Sequence, residues 1–382
     1  MSRPRNDTPD RPLKALGGGI RSILRNGGLL MGGGWVEMLA RRTYIVFMTR
    51  YLGAGDYGIW TYVMAAYGLV IGLSTLGLEA QIPIRLNQAP ERATQILGTA
   101  LSLRLATLAL TGAGLAGFAL WAETDPTLQL ALLLTVPALA GRSLITWVRA
   151  VFKAIERTAI QVRLSITFRL LEVTLGILLM AAGAGLFAVL TLHALSWVTE
   201  ALLGLRLVRR HKGLSLQWHS DLAWGMLRQG WLLGLAGATM VGLMSLPVLL
   251  LRPILNDFAT LGPVALAFQG VTIIAATGLP FFAAALPVLS RAVASGDRRA
   301  RHYAPLSAIA VVLLTGLCTW IGVTYGPQQI ATVLGPEFAV TGTLFGPAIL
   351  VAGLGMLPTG FGQFLTVHKV GWPSAVAGLA GC

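Results

Sequence analysis

The sequence predicts an all-α polytopic membrane protein of ten spans and a short C-terminal stub. Three observations carry this. Of 382 residues, 55% are hydrophobic and 12% charged, about half the charged share of a soluble domain. The apolar residues gather into runs of about 20, the length a helix needs to cross the hydrocarbon core. Lys and Arg fall almost wholly in alternate connections between those runs, as expected of loops on the cytoplasmic side.

Residues 1–28 read as a cytoplasmic tail. Within it, PLKALGGGIRSILR (12–25) puts Leu13, Leu16, Ile20, Ile23 and Leu24 on one helical stripe, with Lys14, Arg21 and Arg25 away from it. That pattern fits an interfacial helix on anionic lipid. Spans follow at 29–49, 58–79, 94–121, 128–149, 160–182, 184–205, 230–251, 262–288, 303–325 and 340–361. The first carries Glu37, Arg41 and Arg42, so it does not read as a cleaved signal. Between the first two lies RYLGAGDYG (50–58), which reads as a tight hairpin whose glycines and Asp56 supply turn chemistry. The longest inside connection, 209–229, places Trp218, Leu222 and Met226 four apart. It reads as a second interfacial helix dividing 29–208 from 230–382. The last apolar piece, Gly371–Cys382, is too short to cross.

With the N-terminus inside, the inside connections hold 22 Lys and Arg; the outside ones hold Arg50 and Arg252. The predicted orientation is therefore N-in. A net charge of +14 would suggest a nucleic-acid partner in a soluble protein. Here the positive-inside bias accounts for it, and no nucleic acid is expected. Two cysteines, Cys318 and Cys382, give neither a disulfide framework nor a metal site, and no cofactor is expected.

Two stretches echo each other. Pro83 follows Gly58 by 25 residues and Pro287 follows Gly262 by 25, each with an arginine close behind, Arg85 and Arg291. The outside turns before them carry Arg50 and Asp56, and Arg252 and Asp257. These residues leave a parallel repeat about the membrane normal and coincidence equally open.

RYLGAGDYGIW followed by LSTLGLEAQIPIRL resembles the first helical hairpin of bacterial polysaccharide and oligosaccharide-lipid flippases of the O-antigen type. These belong to the multidrug/oligosaccharidyl-lipid/polysaccharide exporter superfamily. The matching residues are Arg50, Leu52, Gly53, Asp56, Tyr57 and Gly58, then Leu76, Gly77 and Leu78. ALPVLSRAVASGD (285–297) is similar to the family's Pro-x-x-Ser-Arg inside loop, and VLGPEFAVTG (333–342) to its outer Gly-x-Glu-Phe turn. The resemblance spans residues 25–370 and implies a two-lobed bundle with a parallel repeat: 29–208 as N-lobe, 209–229 as linker, 230–382 as C-lobe. Members usually have twelve or fourteen spans; this chain reads as a truncated or short variant. The resemblance further implies alternating-access translocation of a polyprenyl-pyrophosphate-linked oligosaccharide at the bacterial inner membrane, for cell-surface polysaccharide synthesis. It implies polysaccharide polymerase and chain-length proteins as partners.

Charges inside spans are costly and mark candidate function. They are Glu37, Arg41, Arg42, Arg104, Arg142, Arg169, Glu172 and Glu200, with His193, all in the first six spans. Glu37 and Arg41, four apart with the acid first, and Arg169 and Glu172, three apart, read equally as internal ion pairs or coupling groups. Arg142, Arg169 and Glu200 also lie close enough to the inner face to snorkel. Arg42 and Arg104 are deepest, at roughly 20 Å and 15 Å along their helices. An arginine excess suits an anionic guest, because guanidinium binds phosphate as a planar fork and stays charged when dehydrated. Arg42, Arg104, Arg41 and Arg142 are therefore the candidate substrate contacts, with Glu37, Glu200, Arg169 and Glu172 as pairing or coupling groups.

Competing chemistries find less support. The outer loops are short and hold no paired carboxylates at a catalytic spacing, so an enzyme is not expected. No GxxxxGK[ST] loop is present, so nucleotide hydrolysis is not the predicted power source. The alternatives are a cation-coupled drug exporter of the same superfamily, which an acidic first lobe would fit better, and a non-transporting membrane protein.

Overall fold

The computed structural model describes residues 10–212, 215–295, 300, 302–359 and 363–364. The stub at 371–382 lies outside the described residues, as do the side chains of 12–25 and of Arg291. The described residues form ten α-helices: α1 (Asp10–Thr75), α2 (Leu78–Gln88), α3 (Ala93–Gly117), α4 (Pro126–Ala154), α5 (Thr158–Ala181), α6 (Leu186–Lys212), α7 (Ser220–Leu255), α8 (Phe258–Ala294), α9 (Tyr303–Leu334) and α10 (Ala339–Leu354). Seven stretches among the described residues are long and apolar enough to cross a membrane; the first, Gly32–Gln88, is 57 residues and holds two predicted spans. The chain is an all-α, multi-pass membrane protein.

The chain divides into two compact units, one of Met1–Ile45 and Ala66–Leu243, the other of Val46–Ala65 and Met244–Cys382. In the first unit, α4 and α6 pack closely because Gly141 has no side chain: a Cβ there would overlap the Trp197 backbone. Gly204 does the same against Ile145 and Val148. The contacts rise together along both helices, so α4 and α6 run parallel. Gly33 against Val162 and Gly176 against Tyr44 likewise set the start of α1 parallel to α5. Both pairings match the alternation of spans read from the basic residues.

α1 leads into α2 through Leu76 and Gly77, both left-handed at φ 46° and 68°. Leu76 costs about 1–2 kcal/mol there. Arg104, fully buried, offsets that cost by donating to Ser74 O at 2.9 Å and pairing with Glu79 across the break.

The second unit corrects the outer hairpin. No nine-residue polar turn exists: the only non-helical residue inside α1 is Gly53 (φ 72°, ψ 177°), a conformation reserved for glycine. Two helical segments meet directly at that residue. The junction is tied to the 332–338 stretch from both sides. Arg50 donates to Val333 O at 2.6 Å and Thr332 O at 2.7 Å, the last carbonyls of α9. Glu337 accepts from Ala54 N at 2.7 Å, at the positive start of the next segment. Tyr57, fully buried, meets Phe338 edge-on at 5.6 Å. The stretches 50–58 and 333–342, far apart in sequence, thus form one structure.

Gly58 is a packing glycine. A Cβ on it would overlap Phe258 O, and one on Gly262 would reach Ala54 O at 2.7 Å. Each glycine touches the residue four before the other, a reciprocal close contact of two helices within the unit. Asp257 caps α8 through Ala259 N at 3.1 Å and Thr260 N at 2.9 Å. The Thr260 side-chain hydrogen bond holds its carboxyl below the ordinary value; the cap is therefore present above the unfolded pKa and fades as pH falls through the lowered one.

Candidate functional site

The approach of α4, α5 and α6 builds a chain of alternating charge inside the first unit. Arg149 on α4 donates to Glu200 on α6 at 3.1 Å. Glu200 also accepts from Arg169 on α5 at 3.1 Å. Arg169 pairs with Glu172 one turn along and donates to Ser196 Oγ at 3.2 Å. Glu172 accepts from His193 Nδ1 at 2.7 Å. Glu200 is fully buried and Arg169 7% exposed; each finds its partners inside the unit.

Trp197 stands at the centre, with three guanidiniums over its ring: Arg169 at 3.9 Å, Arg142 at 5.3 Å and Arg149 at 5.9 Å. Arg142 also lies 5.5 Å over Tyr67. Such a contact contributes about 2 kcal/mol when desolvated, as at buried Arg169, and about 0.5–1 kcal/mol where the guanidinium is exposed. The indole lets like charges gather that would otherwise repel. Arg41 is exposed, yet within electrostatic reach of Arg142, Arg169, Glu172 and Glu37. The group counts four guanidiniums (41, 142, 149, 169) against three carboxylates (37, 172, 200). Arg149 and Arg169 are engaged by carboxylates. Among the described residues no carboxylate lies within salt-bridge distance of Arg41 or Arg142.

The structure thus brings Arg41, Arg142, Arg169, Glu172, Glu200 and Glu37 into one electrostatic group. Arg104 is bound instead to Ser74 and Glu79. Arg42 is half-buried on α1. Sequence reasoning ends the fourth span at Arg149 and assigns it to a loop; α4 runs on to Ala154, which draws Arg149 into the network. Trp197 and Tyr67 carry no charge and escape a search for charges. The spacing holds the signal: His193, Trp197 and Glu200 are four and three apart on α6, and Arg142 and Arg149 two turns apart on α4. Among the described residues no cluster suits a metal ion.

A model of the polysaccharide biosynthesis protein family matches residues 23–293. The chain belongs to that family. A search of curated proteins finds no match. Among solved structures, a multidrug resistance transporter of the MATE family and MOP superfamily, captured facing inward, is similar over 90% of this chain and 82% of its own, at 16% identity and a TM-score of 0.59. A eukaryotic MATE transporter, AtDTX14, aligns over 92% of this chain and 82% of its own at 14% identity, with a TM-score of 0.48. The first likeness gives the family member a membrane-transporter fold.

Proposed function

We propose that this family member carries a polyprenyl-pyrophosphate-linked oligosaccharide across the bacterial inner membrane by alternating access, with its N-terminus in the cytoplasm. One observation carries the reading: a guanidinium-rich group gathered on Trp197, in which Arg41 and Arg142 are not consumed by carboxylates. Such a group favours a desolvated phosphate. Anionic inner-leaflet lipids, polysaccharide polymerase and chain-length proteins are the partners this role would bring. A cation-coupled drug exporter remains the second reading, favoured by the transporter fold; the excess of positive charge disfavours an organic cation. The discriminating experiment is competitive binding to the purified chain. Polyprenyl-pyrophosphate disaccharide should displace a fluorescent pyrophosphate lipid, and tetraphenylphosphonium should not; the opposite order supports the exporter. Orientation is tested by fusions: a reporter after Asp125 should read outside, and one after Arg299 inside.

A further inference from the structure

The end of α2 and the start of α7 carry two arginines outside the group on Trp197. Glycine packing fixes their level in the membrane. A Cβ on Gly77 would overlap Gly230 O, and one on Gly230 would reach Leu76 O at 2.6 Å. Gly77 and Gly230 therefore lie side by side. The sequence closes its second span at residue 79 and opens its seventh at 230, so two separately read limits of the hydrocarbon coincide there. Beyond that level α2 and the first turns of α7 run antiparallel through the headgroup layer.

Arg85 lies across Gly225, where a Cβ would come within 3.0 Å of its guanidinium. It donates to Gln81 Oε1 at 3.4 Å and to Gln229 Oε1 at 3.1 Å. Both partners are neutral amides, which orient the fork and leave its charge unspent. Arg228 is exposed and stands three residues on from Gly225, its neighbour on the helix surface. Among the described residues no carboxylate, Asp221 in the first turn of α7 included, pairs with Arg85 or Arg228.

Trp224, Arg228 and Trp231, four and three apart, share one face of α7. The two tryptophans are 68% and 52% exposed. The opposite face is buried through Ala223, Met226 and Gly230. Indoles settle at the boundary of headgroups and hydrocarbon, and guanidinium takes phosphate as a planar fork. A headgroup with net negative charge suits this flank. A choline headgroup brings a second cation to a place already positive.

We infer that Arg85 and Arg228, flanked by Trp224 and Trp231, form a binding site for an anionic phospholipid of the surrounding bilayer. Its phosphate meets the two guanidiniums and its acyl chains run along Trp231 and the exposed Leu235. The lipid is a resident one that bridges α2 and α7, and its binding stabilises the packing between them. The inference rests on the membrane reading alone, not on what the Trp197 group carries.

The test titrates the full chain in detergent with phosphatidylglycerol or phosphatidylcholine of identical chains, read by native mass spectrometry. Each basic residue at a membrane surface favours anionic lipid about fivefold. The unaltered chain should therefore retain one phosphatidylglycerol about tenfold or more tightly than phosphatidylcholine. Arg85→Gln with Arg228→Gln should cut that preference to about twofold. Gly225→Val, which displaces the Arg85 guanidinium and removes no charge, should also lower it. Arg206→Gln with Arg209→Gln, at the exposed end of α6, should keep most of it. Equal affinity of the unaltered chain for both lipids overturns the inference, and this arm needs no variant to fold. Equal loss in the two arginine pairs also overturns it, as a diffuse attraction to basic surface. Loss of the preference in Arg41→Gln with Arg142→Gln would place the lipid at Trp197 and overturn it too. No transported substrate enters the assay, so its outcome is independent of the transport reading.

Discussion

Arg169→Leu is expected to destabilise the first unit more than any other single side-chain change there. Arg169 bonds Glu172, Ser196 and Glu200 and covers Trp197 at 3.9 Å. Its removal leaves Glu172 with only His193 and Glu200 with only Arg149 among these ionic partners, both carboxylates still buried. Breaking one side of a buried pair costs about 3–5 kcal/mol, a large part of the net stability of a folded domain. Arg169→Lys should fall between, since an ammonium keeps the charge but reproduces neither the two-way fork nor the stacking. Arg169→Leu combined with Glu200→Leu should recover part of the loss, because an apolar replacement of both partners removes the stranded charge. Thermal unfolding in detergent measures all three, and a loss under about 1 kcal/mol for Arg169→Leu, the range of exposed ion pairs, would show that the network contributes little.

Arg41→Gln and Arg142→Gln should behave in the opposite way. Neither residue is within salt-bridge distance of a carboxylate among the described residues, so the loss of stability should be limited to the contacts of Arg142 with the Tyr67 and Trp197 rings and stay below that of Arg169→Leu. If these guanidiniums receive the substrate phosphates, each contact contributes about 1.5–3 kcal/mol, and each loss weakens binding about tenfold or more. The paired variant should stay folded, with a smaller loss of melting temperature than Arg169→Leu, and lose nearly all pyrophosphate binding. A paired variant that binds normally would move the anion site elsewhere.

The contrast shows which features the sequence carries plainly. Span positions are legible because hydrophobicity and the basic loop residues are read independently and agree; the parallel pairing of α1 with α5 and of α4 with α6 follows the same alternation. The charged members of the site are legible as charges in lipid. Their grouping is not, because it depends on how close α4 comes to α6, and Gly141 sets that distance through a contact 56 residues away in sequence. Arg104 illustrates the limit: its acid, Glu79, is 25 residues off and beyond a helix break. Residues 50–58 look like a loop because glycine, aspartate and tyrosine favour turns. One left-handed glycine is enough to end a helix, and the remaining residues are then free to cap, as Arg50 does, or to pack, as Gly58 does. Only the three-dimensional arrangement reveals that the Gly-Pro-Glu-Phe stretch supplies the carboxylate for that same junction.

The central claim is that the arginine group on Trp197 serves passage of a lipid-linked anion. The most direct measurement is translocation in proteoliposomes of a short-chain polyprenyl-pyrophosphate disaccharide with a fluorescent tag, quenched from outside by a membrane-impermeant reductant. The unaltered chain should move the lipid, and Arg41→Gln with Arg142→Gln should reduce that movement to the level of empty vesicles while remaining inserted. Equal movement by both, or transport of an organic cation with no movement of the lipid, would contradict it.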